Sequence, residues 1–333
     1  MVFDPPYETV LKPFGQALVE LAERRPDLVC LGADLTRQTE TDLFRDTFPE
    51  RFFNVGMAEA NAVGIAGGLA RAGHTVFFAT FGVFATRRCY DQIAMAVAYP
   101  GLNVKIIGFM PGLSSPGGPS HQAIDDVALM RTLPNMTVVD VADATETRQA
   151  VRAIADHPGP VYLRLKRGEI PQIFDGRHEF SLAEAQVVVS GRDVVLIGSG
   201  MMLAATLAAA RTLRTHDIDA AVLNVPVIKP LDTQTLLSSC RRARAVITAE
   251  NHTVIGGLGS AVAETLAEHG GPPLARVGIE DRFAESGSRA YLFSRYGLTV
   301  QRIVDEAWRM VGPAGSPPVA ADISVDADGY APV

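Results

Sequence analysis

Short apolar, β-branched runs alternate along this chain with longer stretches of helical spacing. That alternation leaves few solutions other than parallel strands joined by crossover helices. In the first half the strand candidates fall at 27–32, 74–81, 103–109, 136–141 and 160–165. The segments 59–72, 87–99 and 123–132 read as helices between or beside them, the first built of Ala, Gly, Val and Ile that permit close packing on a sheet. Pro171 and the turn-like Asp175-Gly176 then interrupt the pattern. A second set of strands follows at 193–197, 220–225, 245–249 and 274–277, with Ala/Leu-rich helices at 201–213 and 258–269. The expectation is an α/β chain of two parallel-sheet, three-layer domains, 1–170 and 191–312, joined by a linker at 171–190. A tail over 313–333, rich in Pro, Ala, Gly and Asp without apolar period, reads as disordered. The 333 residues suit two cores better than one.

Three places carry residues of chemical interest. In Asn54-Val55-Gly56-Met57-Ala58-Glu59 a carboxylate opens an otherwise small and apolar helix. Glu59 reads either as a favourable charge at the helix N-terminus or as a general acid/base held in a mostly apolar pocket. In Phe81-Gly82-Val83-Phe84, followed by Arg87-Arg88, the aromatics are either core or a face for a flat ring, with guanidinium groups nearby for an anion. The loop 111–122 is dense in Gly and Pro and ends in Ser120-His121-Gln122 at a helix start. Ligands collect at the carboxyl ends of strands in such sheets, so His121 is either a surface residue or a functional one.

Other chemistries find little support. There is no P-loop, no paired CxxC and no HExxH. Gly198-Ser199-Gly200 lacks the third glycine of a dinucleotide loop. Gly256-Gly257-Leu258-Gly259-Ser260 is either an anion site at a helix N-terminus or a tight turn. Cys30, Cys89 and Cys240 are scattered and read as reduced core thiols. A net charge of −7 favours neither nucleic acid nor an anionic membrane, and no apolar run reaches the roughly 18 residues of a membrane span. With no signal peptide at Met1-Val2-Phe3-Asp4-Pro5-Pro6, the expected location is the cytoplasm.

These features fall in an order that resembles the transketolase family. Asn54 to Glu59, then Thr80-Phe81-Gly82-Val83-Phe84-Ala85-Thr86-Arg87, then Gly118-Pro119-Ser120-His121-Gln122, are similar to its pyrimidine-binding domain. Asp125-Asp126, Met130-Arg131 and Pro134-Asn135-Met136 continue the pattern. Ile228-Lys229-Pro230-Leu231-Asp232 and Glu250-Asn251-His252, leading into Gly256 to Ser260, resemble its C-terminal domain. The family's Gly-Asp-Gly run, which holds metal and diphosphate, occurs nowhere, and full-length members are far longer. The resemblance therefore implies the second subunit of a split enzyme, working with an N-terminal diphosphate-binding subunit in an α2β2 assembly.

By that resemblance the cofactors are thiamine diphosphate and Mg²⁺, the metal held mainly by the partner. Glu59 matches the glutamate that hydrogen-bonds N1′ of the aminopyrimidine. Phe84 matches the aromatic stacked on that ring, Phe81 a second wall, and Asp34 an aspartate near the thiazolium end. His121 matches the histidine that contacts substrate hydroxyls and assists proton transfer. Arg87 and Arg167 match arginines for substrate phosphate. The implied reaction moves a two-carbon ketol unit between sugar phosphates. Two positions depart from common transketolases: Gly117 stands where an aspartate reads hydroxyl stereochemistry, and Gly108 or Phe109 where a histidine meets phosphate. The alternatives are a deoxyxylulose-phosphate synthase, a 2-oxo acid dehydrogenase β subunit, or a non-catalytic regulatory half. Arg88 is assigned no role beyond a solvated or structural one.

Overall fold

A computed structural model describes residues 2 and 4–320 of the chain. Its strands, in chain order, begin with β1 (Thr9–Leu11), β2 (Leu28–Gly32), β3 (Phe52–Asn54), β4 (Thr75–Phe81), β5 (Val104–Phe109), β6 (Thr137–Asp140) and β7 (Val161–Leu165). They continue with β8 (Glu169–Pro171), β9 (Gln186–Val189), β10 (Val194–Gly198), β11 (Ala220–Asn224), β12 (Val227–Lys229), β13 (Ala245–Thr253) and β14 (Leu274–Ile279). Seven form the first sheet in the order β12-β6-β7-β5-β4-β2-β3, and five the second in the order β14-β13-β10-β11-β9. A two-stranded ribbon, β1 with β8, completes the set among the described residues.

The central strands lie where the apolar runs predict them. Every residue of β4 is buried, because helices cover both faces of the sheet. Its side chains alternate accordingly: Val76 and Phe78 enter one core, Phe77, Ala79 and Phe81 the other. Both domains are parallel-sheet structures at their centres, as expected. Their edges differ from that expectation. The short β3 carries an exposed Phe53, and three residues are too few for a periodic signal. β9 lies inside the segment read as linker and runs antiparallel to β11.

The largest difference is β12. It follows β11 in the chain yet pairs antiparallel with β6 of the first sheet. Lys229 then donates from Nζ to the carbonyl oxygens of Arg131, at 2.8 Å, and Leu133, tying the two domains together. The helix expected over 87–99 is also not one element. A short helix, Gly82–Thr86, follows β4 directly; a tight turn at Arg87–Cys89 and a wide π-helical stretch at Ile93–Ala98 come after it. The breaks turn Phe84, Arg87 and Arg88 to different sides, and such irregular turns collect at functional sites. Of the tail, 313–320 is fastened by Trp308 Nε1 to the Gly315 carbonyl and by Gln301 to Pro318 and Ala320. The expectation of disorder beyond that lies outside the described residues.

Candidate active site

Each site residue named from the sequence lies at or beyond the carboxyl end of a parallel strand of the first sheet, Phe81 being the last residue of β4. Asp34 comes after β2, Glu59 after β3, Phe84, Arg87 and Arg88 after β4, His121 after β5 and Arg167 after β7. Neighbouring parallel strands end at one edge, so residues remote in sequence share one region.

Glu59 is the first residue of the helix Glu59–Arg71 and is 4% exposed. Asn54 shapes the turn before it. Its Oδ1 accepts from Gly56 N at 3.0 Å and from Asp34 N at 3.2 Å, joining the ends of β2 and β3. Gly56 sits at φ +72°, where a side chain would be strained. Asp34 itself takes φ +76°, a region that aspartate tolerates better than most residues. Partial burial raises the pKa of Asp34, the charge of Glu59 adds to the shift, and Arg88 opposes it.

The pocket around Glu59 is not apolar throughout. Arg88 donates from Nη1 to Glu59 Oε1 at 3.0 Å, and its guanidinium carbon lies 3.9 Å from the centre of the Phe84 ring. Phe81 and Phe84 are nearly buried, with rings near parallel at 6.0 Å. The His121 ring meets Phe84 edge-on at 5.2 Å, and Ser120 Oγ bonds His121 Nδ1 at 2.9 Å. Glu59, Arg88, Phe84, Phe81 and His121 thus form one contiguous group. Arg87 turns away from it: Nε bonds Asp125 at 2.9 Å, while Nη1 and Nη2 donate to the carbonyls of Pro119 and Gln122, each at 3.3 Å. Arg167 is half-buried just past β7.

The second domain holds the histidine loop. Asn251 accepts from Leu113 N at 2.9 Å and donates to Pro111 O at 3.0 Å. Gln122 Nε2 donates to Glu285 O at 3.0 Å. Gly117 is sterically required for this arrangement, since a Cβ there would stand 2.9 Å from His121 Cβ. Position 108 is likewise closed to a side chain: a Cβ would meet the Tyr162 ring at 2.8 Å, and that ring's hydroxyl bonds Asp126 at 2.6 Å. The Gly256–Ser260 turn is occupied by the protein's own anion. Glu250 accepts from Leu258 N at 2.7 Å and Gly259 N at 2.8 Å at the start of the helix Leu258–His269. All three cysteines are buried and free. Among the described residues no three His, Cys, Asp or Glu are grouped to hold a metal, and no helix is long and apolar enough to cross a membrane.

Residues 9–172 match the family model "Transketolase, pyrimidine binding domain", and 183–303 match "Transketolase, C-terminal domain". The chain belongs to the transketolase family. A transketolase family protein of Sinorhizobium fredii is 47% identical over 296 residues, 88% of this chain and 86% of that protein. The 6-deoxy-6-sulfo-D-fructose transketolase subunit of a Clostridium species is 43% identical over 291 residues, 87% of this chain and 90% of the subunit. A solved split gene transketolase, described as an inactive beta4 tetramer, superposes with a TM-score of 0.85 at 43% identity, covering 91% of this chain and 98% of that one.

As a transketolase-family chain it contains two residues whose part the sequence alone did not reveal. Asn54 stands in the sequence as the first residue of the motif that ends in Glu59, and its Asn-x-Gly spacing is the signal that could have shown its turn-forming part. Arg88 had none, because its partner Glu59 is 29 residues away.

Proposed function

We propose that this chain is the pyrimidine-side subunit of a two-component, thiamine-diphosphate-dependent transketolase. It moves a two-carbon ketol unit from a ketose with a terminal anion to an aldose acceptor. The observation that carries the reading is Glu59, a buried carboxylate beside a pair of stacked phenyl rings.

The residues present suit the aminopyrimidine. The planar guanidinium of Arg88 already lies on Phe84 while donating an N–H to Glu59, so the place admits a flat, nitrogen-bearing group that bonds that carboxyl. When bound, the cofactor supplies the electron sink for breaking the C2–C3 bond of the ketose. Glu59 holds a proton at N1′ of the ring, and Phe84, backed by Phe81, fixes the ring plane. His121, packed edge-on against Phe84, meets substrate hydroxyls and carries a proton to or from them. Asp34 lies toward the thiazolium end. Arg167 gives the substrate's anionic terminus a cationic partner, whereas Arg87 is engaged by Asp125.

The reading needs a partner. An N-terminal subunit would bring the diphosphate domain and most of the Mg²⁺ ligands, in an α2β2 assembly; the relatives described as a transketolase subunit and as an inactive beta4 tetramer support it. A terminal sulfonate and a terminal phosphate share one requirement, a cationic end to the channel. Donors of both kinds therefore belong in the test.

The experiment mixes this chain with its candidate N-terminal subunit, thiamine diphosphate and Mg²⁺. Xylulose 5-phosphate and 6-deoxy-6-sulfofructose are offered separately as donors, with an aldose phosphate acceptor. Ketol transfer by the mixture and none by the chain alone is expected. Glu59→Gln should lower the rate at least 10²-fold, the usual scale for a lost proton-transfer group, without changing the melting temperature. Full activity in that variant would sink the role of Glu59, and, with pyruvate offered as a third donor, its consumption with loss of CO₂ would move the enzyme to the synthase class.

A further inference from the structure

We infer that Arg88 is an internal stand-in for the cofactor's aminopyrimidine ring, occupying its place on Phe84 and Glu59 and leaving when the ring enters. The inference rests on the cofactor reading above. It goes further by assigning a function to a residue that reading does not use.

The geometry is specific on three counts. The guanidinium is planar and lies 3.9 Å from the centre of the Phe84 ring, at stacking distance. One of its N–H groups meets Glu59 Oε1 at 3.0 Å. A flat heterocycle bound by the same two residues would need the same ring face and the same carboxylate edge, so both cannot be present together. The third count is release. Glu59 is 4% exposed, whereas the Arg88 side chain is 51% exposed and among the described residues makes that one hydrogen bond. It can swing into water, uncovering only the outer face of the Phe84 ring and the Glu59 carboxylate. Asp34, which feels the charges of both Glu59 and Arg88, is a nearby carboxylate to receive it.

Without a guest or Arg88, Glu59 would lack its half-exposed counter-charge, a modest cost. Arg88 covers that cost until the assembled enzyme takes up its cofactor, and the two contacts it gives up are subtracted from cofactor affinity. Arg88→Ala should therefore bind thiamine diphosphate more tightly than the parent in the reconstituted complex. The expected gain is roughly threefold to tenfold, the scale of a partly exposed ion pair plus a ring contact. Arg88→Lys, which keeps the charge and loses the flat face, should fall between them and guards against a misfolded alanine variant. Methylguanidine at millimolar concentration should compete with the cofactor in Arg88→Ala and leave the parent unaffected. By NMR, the Arg88 Nε–H signal should be shifted by the Phe84 ring in the parent and lose that shift when cofactor is added.

Weaker cofactor binding in Arg88→Ala, no competition by methylguanidine, or a ring shift that persists with cofactor bound would each overturn the inference. Failure of the unaltered complex to bind thiamine diphosphate at all would overturn the cofactor reading itself, and this inference with it.

Discussion

Two arginines hold carboxylates in this molecule, and they do so in opposite ways. Arg164 is 1% exposed at the seam between the domains. It bonds Asp126 through Nε at 2.8 Å and Nη2 at 3.1 Å, Asp140 through Nη1 at 2.8 Å, and the Asn251 carbonyl at 3.0 Å. Tyr162 and Ser199 add hydroxyl donors to the same two aspartates. Arg88, half in water, gives Glu59 one bond and rests its flat face on Phe84. A buried ion network is expensive to break and so behaves as structure. A half-exposed pair contributes little to stability and so can be exchanged. The seam fixes the loop that bears His121; the site keeps a replaceable contact where a ligand must enter.

The contrast fails if the seam is not structural. Arg164→Met would leave Asp126 and Asp140 buried without a cation and should cost about 3–5 kcal/mol by denaturant unfolding. A loss below about 1 kcal/mol would put Arg164 in the same class as Arg88.

A neighbouring carboxylate of the seam sharpens the comparison through pH. Asp143 caps the helix Ala144–Asp156 by accepting from Glu146 N at 2.7 Å and also accepts from Ile173 and Phe174, each at 2.8 Å. Burial, then the charge of Glu146, pushes its carboxyl up to about 7 against those donors. A carboxyl raised above its unfolded value of about 3.9 is more readily protonated when folded. Its contribution is complete at acid pH and is lost as pH rises toward 7. Asp143→Asn keeps a capping oxygen and removes the titration. The parent should therefore lose roughly 1–3 kcal/mol relative to this variant between pH 5 and pH 7, followed by melting temperature. A flat difference would mean that the three N–H donors outweigh burial.

The smallest effect belongs to the site. Arg88→Met should change folding stability by less than about 1 kcal/mol, even as it alters cofactor affinity. A large destabilisation would make Arg88 a structural residue after all.

Much of this molecule is legible in its sequence. Runs of buried residues located the central strands of both sheets, because burial on both faces writes itself as continuous apolar sequence. Glu59, Phe84 and His121 stand out as residues, Asp34 and Arg167 only through the family resemblance, and each follows a strand of the first sheet. The edges were harder to read. β3 and β12 have three residues each, and nothing local distinguishes a strand of that length from a loop. β12 also crosses to the other domain's sheet, a pairing that only the packed chain specifies.

Sequence was enough for the parallel architecture, the family and the candidates Glu59, Phe81, Phe84 and His121, which pack at one edge of the first sheet with Arg88. The architecture follows from periodicity; the family and the candidate residues follow from motifs whose order resembles that family. Tertiary structure alone decided which of two adjacent arginines faces the carboxylate: Arg87 closes on Asp125 and Arg88 on Glu59. It also decided that Glu250 fills the helix N-terminus at Leu258 and that Asn251 of one domain clamps the histidine loop of the other. Such pairings depend on the direction in which each side chain leaves an irregular turn. That direction follows from the packing of distant segments, which no local pattern encodes.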